Sequence, residues 1–242
     1  MSEYKERHYR RRVRSSDLAP FHVAIKETDL WISAEQPLEE EAKALVFNHR
    51  RQLENYISAH PDFLTTLQPY PEDPYAPPIV KEMISFTRGL GVGPMASVAG
   101  AIAQHVALGL LRRTNQVIVE NGGDIFLKVN RPVTVSIFAG DSPLSEKIGL
   151  AIPARIMPVG VCSSSATVGH SLSMGAADVA CIISYSAVLA DGAATALCNK
   201  VRSKKDLKRL GSWAQQTDGI RGALVILGGQ MATWGEIELV GL

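Results

Sequence analysis

The N-terminal part of the chain alternates between apolar and polar residues. Residues 4–13 have an extended, strongly charged pattern, and residues 21–33 alternate on both sides of the segment Lys26-Glu27-Thr28-Asp29. A period of two is typical of a strand with one buried face, and a short polar segment between two such runs is typical of a hairpin. The pattern therefore predicts an antiparallel hairpin within about residues 1–35.

A helical period follows Pro37. Apolar and aromatic positions recur at spacings of three and four until Pro61: Leu38, Ala42, Leu45, Val46, His49, Leu53, Tyr56 and Ile57. This spacing predicts an amphipathic helix with one buried face. Residues 61–78 are rich in proline, which excludes a regular helix or a central strand there. They are expected to form an ordered excursion over the surface, either a flap over a site or a passive connector.

Residues 79–88 predict a short helix, and a glycine-rich turn separates it from a longer one that begins at Met95. The stretch 92–111 contains no Asp, Glu, Lys or Arg over about the length that spans a bilayer. However, it contains Pro94, Ser97, Gln104 and His105 and is rich in Ala and Gly, which insert less readily than Leu or Phe. It is therefore interpreted as a buried core helix.

The second half of the chain predicts a series of strands and two further helices. Predicted strands cover residues 117–119, 125–129, 133–138, 148–152, 159–162, 179–184, 224–227 and 236–240, the last two pairing across Gly228-Gly229. Predicted helices cover residues 189–200 and 207–214. Residues 133–138 and 148–152 are expected to continue the sheet formed by the strands before them. Strands and helices in this mixed order predict an α+β fold with a mixed or antiparallel sheet.

Composition and charge narrow the function classes. The chain has 242 residues, 46% of them hydrophobic, with 20 Gly and a net charge of +1. This predicts a single globular domain over residues 1–242, with its core at about residues 79–242. The small charge gives no general attraction for nucleic acid or a membrane. The basic run at residues 5–14 could bind phosphates, or it could be a charged edge strand.

Neither a secretion signal nor a lipoprotein signal is found at the N-terminus, so a cytoplasmic protein is expected. The three cysteines form no CxxC motif and no His-flanked pair. In a reducing compartment they are expected to be buried free thiols rather than disulfides or zinc ligands.

Gly93 and Pro94 open the core helix and form the first candidate site. The free amides and the dipole at a helix start attract anions. Residues 91–96 match a G-x-G-x-x-A dinucleotide fingerprint, but they lack the preceding strand and the later acidic residue of such sites. A glycine turn followed by Pro at the first helical position explains the same residues without a ligand.

A second candidate is the segment Asn121-Gly122-Gly123-Asp124 between two predicted strands. It is longer than a minimal Asn-Gly turn and ends in a carboxylate. Its two glycines could aim amides and the Asp124 carboxylate at a polar ligand. The alternative is an ordinary turn without a ligand.

A third candidate is Asp191, four residues before Thr195 near the start of a predicted helix. Positions four apart share a helix face, so the carboxylate and the hydroxyl lie side by side. Oxygen donors of this kind suit Mg²⁺. Ordinary helix capping is the alternative.

The fourth candidate is the loop at residues 162–171. It carries one thiol, one imidazole and several hydroxyls, on Cys162, His170, Ser163, Ser164, Ser165 and Thr167. His170 could act as a general base and the hydroxyls could bind phosphate. A Cys162 nucleophile paired with His170 is a further option, and a surface loop that satisfies its own backbone is the structural alternative.

Taken in order, these segments resemble the ApbE-like superfamily, whose well-known members transfer FMN from FAD to a protein Thr with Mg²⁺. Residues 93–96 resemble the family's Gly-Gly-Ile-Ala helix start, and residues 120–124 (Glu-Asn-Gly-Gly-Asp) resemble its Asn-Ala-Gly-Gly-Asp loop. Residues 190–196 (Ala-Asp-Gly-Ala-Ala-Thr-Ala) resemble its Ala-Asp-Ala-Leu-Ala-Thr-Ala metal motif. The match covers about residues 89–201, and the whole chain is similar to an uncharacterised branch without a lipoprotein signal.

The resemblance implies Asp191, Thr195 and the Ala96 carbonyl as Mg²⁺ ligands, His170 as the proton-transfer residue, and FAD or FMN as substrate or ligand. Two departures concern the nucleotide site: Ser97 stands where the family has Lys, and Ser173-Met174 replace an Asp-Pro pair.

Two functions follow from the resemblance. The first is a Mg²⁺-dependent FMN transferase or pyrophosphate hydrolase. The second is a non-catalytic small-molecule-binding protein, or a sulfur-assimilation accessory protein with Cys162 as sulfur carrier. The expected partners are a small phosphorylated or anionic molecule, an acceptor protein and, in a homodimer, a second copy of the chain.

Overall fold

The computed structural model describes residues 18–167 and 175–242. The first described elements are the strands β1 (Ala19–Ile25) and β2 (Thr28–Ala34), which pair antiparallel across the turn at Lys26 and Glu27. Lys26 has a positive φ of 53°, as a tight hairpin turn requires. The hairpin predicted for residues 21–33 is therefore confirmed, whereas the strand predicted at residues 4–13 lies outside the described residues.

A sheet of eight strands forms the centre of the fold. Its strand order is β1-β2-β3-β4-β7-β8-β9-β10, and every pairing among these strands is antiparallel. The bounds of the further strands are Val117–Asn121 (β3), Asp124–Lys128 (β4), Val159–Ser164 (β7), Val179–Ser184 (β8), Ile220–Leu227 (β9) and Gln230–Gly235 (β10). The α+β class with an antiparallel sheet is confirmed.

A second, smaller sheet has the order β11-β6-β5 and consists of Leu239–Gly241, Ile148–Ile152 and Val133–Ser136. The prediction that residues 133–138 and 148–152 continue the main sheet is therefore wrong. The prediction that residues 224–227 pair with 236–240 is also wrong, because β9 pairs with β10, while β11 crosses to β6. Strands of both sheets share the same alternation, so sequence pattern does not tell the two sheets apart.

Six α-helices are described: α1 (Glu39–Ala59), α2 (Asp62–Thr65), α3 (Pro78–Leu90), α4 (Val98–Leu110), α5 (Ala187–Lys200) and α6 (Leu210–Gln215). The predicted core helix is α4, preceded by a 3₁₀ turn at Pro94–Ser97. The proline-rich segment is irregular except for the single turn α2, which the sequence did not predict.

Helices and the small sheet cover opposite faces of the main sheet. One apolar cluster joins residues of α1, α3, α4 and α5 with the sheet residues that face them, among them Val119, Phe126 and Cys162. A second cluster joins the other sheet face, including Ile118 and Val161, with the small sheet. Within the described residues, no helix combines the length and the apolar character needed to cross a membrane. The extent of the domain, residues 1–242, stays a prediction.

Candidate functional site

Asp124 and Asp191 are buried carboxylates on facing elements, and we call them the acid pair. Asp124 is the first residue of β4 and is 7% exposed, while Asp191 lies in the second turn of α5 and is 8% exposed. Side chains of a strand alternate between its two faces, so Asp124 shares the helix-facing side of the sheet with Phe126. The second and third candidate segments therefore meet inside the molecule.

Asp191 is held by the start of a neighbouring helix. Its Oδ2 accepts a hydrogen bond from the Gly100 amide at 2.9 Å, and the Ala99 amide also donates to this carboxylate. The first amides of a helix have no partner inside that helix, so Asp191 caps α4. The N-cap of its own helix is Ser186, whose hydroxyl accepts from the Leu189 amide. The alternative that Asp191 caps its own helix is therefore wrong: Ser186 caps α5, and Asp191 caps α4.

The close approach of α4 and α5 depends on Gly100. A Cβ at this position would lie 2.3 Å from the Ala187 carbonyl oxygen and 2.8 Å from the Asp191 Cβ. Any larger residue would separate the two helices and pull Asp191 away from the α4 amides.

Residues 121–124 form a two-residue turn, shorter than the sequence predicted. Asn121 and Asp124 are directly paired, and Gly122 and Gly123 between them have positive φ values of 67° and 107°. Asn121 Nδ2 donates to the Ala99 carbonyl at 3.1 Å, which ties the turn to the same part of α4 that binds Asp191. The turn and α4 together place the acid pair.

Strand β7 supplies the third side of the site. The Ser163 amide donates to Asp124 Oδ1 at 3.3 Å. Ser164 is 6% exposed, and its Oγ has no hydrogen-bond partner among the described residues. Alternation along β7 puts Ser164 on the helix-facing side, next to Cys162. A buried hydroxyl without a partner costs free energy in the absence of a ligand, so Ser164 is suited to contact one.

The Cys162 thiol is in a structural environment. It is fully buried and donates to the Ala187 carbonyl at 3.4 Å. Burial raises the pKa of the thiol well above its ordinary value, and the charges of the acid pair raise it further. A nucleophile requires the thiolate and access, and both are opposed here.

The hydroxyls of Ser165 and Thr167 are hydrogen-bonded to each other, whereas the Ser163 side chain is hydrogen-bonded to Cys181. Ser165 Oγ lies 3.2 Å from Thr167 Oγ1 and accepts from the Thr167 amide at 3.0 Å. This is the self-capped arrangement that the sequence left open as the alternative. His170 and Ser173 lie outside the described residues.

Gly93 has a packing explanation. A Cβ there would lie 2.0 Å from the Thr66 carbonyl oxygen, so the proline-rich segment packs directly on the turn before α4. Gly93 has an ordinary φ of −70°. Close approach of the Thr66 backbone therefore requires glycine at this position, with or without a ligand.

Burial governs the protonation of the acid pair. Burial raises the pKa of Asp124 well above its ordinary range, and the charge of Asp191 raises it further. Burial also raises the pKa of Asp191 to about 7, against the hydrogen bonds from the Gly100 and Ala99 amides. In residues 18–167 and 175–242, neither carboxylate forms an ion pair. The pair therefore favours a proton or an added cation near neutral pH.

The oxygen atoms that the site offers are of the kind that bind a hard cation such as Mg²⁺. Thr195 is half-buried and shares a face of α5 with Asp191, and Ala96 lies in the 3₁₀ turn before α4. No three His, Cys, Asp or Glu side chains of the described chain gather as a ready metal cluster. An ion at Asp191 would therefore also need hydroxyl, carbonyl, water or substrate oxygens, which is how Mg²⁺ is usually bound.

Ala99 and Gly100 are site residues that sequence reasoning did not identify. They act through backbone groups, which carry no sequence signature. The one available signal was a glycine in an otherwise apolar helix, which often marks close packing.

Sequence comparison places the chain in a family. A family model described as AbpE bacteria matches residues 10–233. A UPF0280 protein of Methanosphaerula palustris is 42% identical over 219 residues, which cover 89% of this chain and 90% of the relative. Another, from Methanocaldococcus jannaschii, is 36% identical over 225 residues and covers 90% and 91%.

Solved structures show the same fold. The apo form of the flavinyl transferase ApbE of Pseudomonas stutzeri matches with a TM-score of 0.57 at 13% identity, covering 90% of this chain and 94% of that one. The ApbE protein of Thermotoga maritima matches with the same score and identity, covering 90% and 97%. The resemblance to the ApbE-like superfamily is confirmed: the chain belongs to the family described as AbpE bacteria, and UPF0280 proteins are its relatives.

Proposed function

We propose that this protein binds FAD or a similar nucleotide pyrophosphate together with Mg²⁺ at the acid pair, and cleaves the pyrophosphate by transferring FMN to an acceptor. The observation that supports the proposal most strongly is the acid pair itself. Two carboxylates in one buried site cost free energy unless a proton or a cation accompanies them. Flavin transferases among the structural neighbours suggest the chemical class of the nucleotide.

Asp191, Thr195 and the Ala96 carbonyl would hold Mg²⁺, with Asp124 completing the charge of the site. When bound, the ion would neutralise the pyrophosphate and polarise its phosphorus–oxygen bond. The α4 amides keep the Asp191 carboxylate oriented, and the free Ser164 hydroxyl can donate to a phosphate oxygen. Burial of Asp124, Asp191 and Ser164 would limit the access of bulk water to the site and would strengthen each polar contact there.

The transfer step forms one bond, breaks one bond and moves one proton. The acceptor hydroxyl oxygen forms a bond to the FMN phosphorus, and the bond from that phosphorus to the bridging oxygen breaks, releasing AMP. His170, by its place in the motif order, would take the proton of the acceptor hydroxyl. With water as acceptor, the same step gives free FMN and AMP. A protein threonine is the acceptor that the resemblance implies.

The proposal is tested by incubating the protein with FAD and Mg²⁺ and quantifying AMP and FMN by chromatography. Asp191→Asn should lower the rate by about 100-fold or more, because the neutral side chain binds the ion weakly. Asp218→Asn, on an exposed residue, is the matched control and should keep the wild-type rate. Wild-type protein that neither binds FAD nor releases AMP at millimolar Mg²⁺ would refute the proposal.

The sulfur-carrier alternative has no supporting observation. Cys162 is fully buried, and its thiol donates a hydrogen bond in the packed layer between β7 and α5. A carrier must expose its sulfur to two partners, which this position does not allow. Cytoplasmic location and a homodimer stay predictions.

A further inference from the structure

Glu120 is a buried carboxylate that the proposed reaction does not use. It is 5% exposed and lies at the end of β3, next to the turn formed by Gly122 and Gly123. Its Oε1 accepts a hydrogen bond from the Gly123 amide at 2.7 Å. A charge-assisted bond of this length is among the stronger hydrogen bonds in proteins.

Glu120 approaches the turn from the face opposite the acid pair. Along β3, Val119 belongs to the helix-side core and Ile118 to the core beneath the small sheet. Alternation therefore puts Asn121 on the helix side, where it bonds the Ala99 carbonyl, and Glu120 on the other side. The turn is thus held from both faces of the sheet.

The Gly123 amide needs such an acceptor. Asn121 and Asp124 pair directly and close the ladder, so the two glycines between them take no part in strand pairing. Nothing lies within 4 Å of a Cβ at Gly123, which shows that backbone conformation, and not close packing, requires glycine there. A turn of two glycines is intrinsically free to twist, and its direction sets where Asp124 points.

We propose that Glu120 is a positioning residue that fixes the 121–124 turn and thereby aims Asp124 at Asp191. The expected effect of Glu120 on Mg²⁺ binding at the acid pair rests on the proposed function. Glu120 acts through the bond to Gly123, and its charge is not the essential feature. Residues that orient a ligand-bearing group from outside typically change metal affinity by about 10–100-fold when removed.

Three substitutions separate the hydrogen bond from the charge. Glu120→Gln keeps an acceptor of the same length and loses the charge. Glu120→Asp keeps the charge but is one methylene too short to reach Gly123. Glu120→Ala loses both, and Glu41→Ala, on an exposed acid of α1, is the matched control.

Two measurements are made on each variant: Mg²⁺ affinity by isothermal titration calorimetry, and hydrogen exchange of the Gly123 amide by NMR. We expect the Gln and control variants to match wild type within about threefold. The Asp and Ala variants should bind Mg²⁺ at least about tenfold more weakly, with Gly123 exchange at least about tenfold faster. If Ala does not fold, the comparison of Asp with Gln decides.

A Gln variant as weak as Asp or Ala would overturn the inference, because charge would then matter more than the bond. Unchanged Gly123 exchange in the Asp and Ala variants would also overturn it. If wild-type protein itself binds no Mg²⁺, the proposed function fails, and hydrogen exchange alone decides whether Glu120 fixes the turn.

Discussion

Asp191 accepts the first amides of α4 and shares a buried site with Asp124, so its protonation affects both structure and binding. Burial raises its pKa to about 7, above the ordinary value of 3.8. The folded protein therefore holds a proton that the unfolded chain releases in the interval between these values. In the absence of metal, this residue makes folding less favourable as pH rises from about 4 to about 7, and the full cost remains above pH 7.

We therefore expect Asp191→Asn to be more stable than metal-free wild type at pH 8, by at least about 1 kcal/mol, and nearly equal to it at pH 4. Urea unfolding in the presence of EDTA at both pH values measures this difference. Because the amide nitrogen of Asn can face the α4 amides unfavourably, Asp191→Ser serves as a second variant without a charge. Equal stability differences at both pH values in both variants would contradict the pKa of Asp191.

The three cysteines are expected to be unreactive in the native protein. Cys162, Cys181 and Cys198 are fully buried, and burial raises the pKa of Cys181 to about 12. A colorimetric thiol reagent should therefore find no rapidly reacting group in native protein at pH 8, and three after denaturation. Cys162→Ala should remove one group from the denatured total only. Rapid native reaction that disappears in Cys162→Ala would revive the carrier role.

The sequence alone predicts most side chains of the site but not the backbone amides that contact them. Motif order identified Asp124, Asp191 and Asn121, and the structure brings these three around the start of α4. The amides of Ala99 and Gly100 were not predicted, because any residue except proline supplies an amide. The burial of Cys162 agrees with the prediction of buried free thiols, whereas the alternative of a reactive thiol in a loop does not fit the structure.

At the scale of elements, the contact of α4 with α5 determines the site. Gly100→Ala should destabilise the protein by about 2–4 kcal/mol, because its Cβ meets the Ala187 backbone and cannot be accommodated by a side-chain rotation. Gly109→Ala on the same helix is the matched control, since its Cβ meets only the flexible end of the Leu45 side chain.

Thermal or urea unfolding measures both variants. The Gly109 variant should lie within about 1 kcal/mol of wild type, because better helix propensity offsets the displaced Leu45. If both substitutions cost the same, close approach of α4 and α5 is not what requires Gly100.

The contact of α1 with α4 contains a buried histidine, His49, whose protonation affects stability. The rings of His49 and His105 are 5.1 Å apart, and His49 Nδ1 is buried without a hydrogen-bond partner among the described residues. Burial lowers the pKa of His49 to about 4, and the charge of His105 contributes. Above pH 6.5 the residue is neutral in both states. As pH falls toward 4, the unfolded chain takes up the proton first, so stability is lost.

His49→Leu should therefore reduce the loss of stability between pH 7 and pH 5. Urea midpoints of wild type and variant at these two pH values measure the effect, and His60→Leu, on an exposed residue just after α1, is the control. Parallel pH profiles of wild type and His49→Leu would show that His49 is not the group responsible.

The order of helices and strands was largely predictable, because the hydrophobic period and the Gly and Pro residues that end an element are local properties of the sequence. The sequence did not predict which of the two sheets each strand joins. Strands β5, β6 and β11 carry the same alternation as the main sheet, and only tertiary packing separates them. The sequence predicts a longer turn that includes Asn121 and Asp124, whereas in the structure these two residues form the last strand pair.

At the scale of the whole molecule, an antiparallel sheet is covered by helices on one face and by a small sheet on the other. The acid pair lies on the helix side, where β4, β7 and α5 meet α4. Glu120 reaches the same turn from the opposite side. The site is therefore built from four separate segments of the chain, which explains why each motif is ambiguous alone and why their common order is informative.

Anomalous diffraction from crystals grown with Mn²⁺ and FAD shows whether metal and nucleotide bind together at the acid pair, since Mn²⁺ replaces Mg²⁺ at oxygen sites. We predict one strong peak within bonding distance of Asp191, on the side facing Asp124 and Thr195, with nucleotide phosphate density beside it. Metal and nucleotide bound elsewhere, or an acid pair without density at saturating concentrations of both, would contradict the proposed binding site.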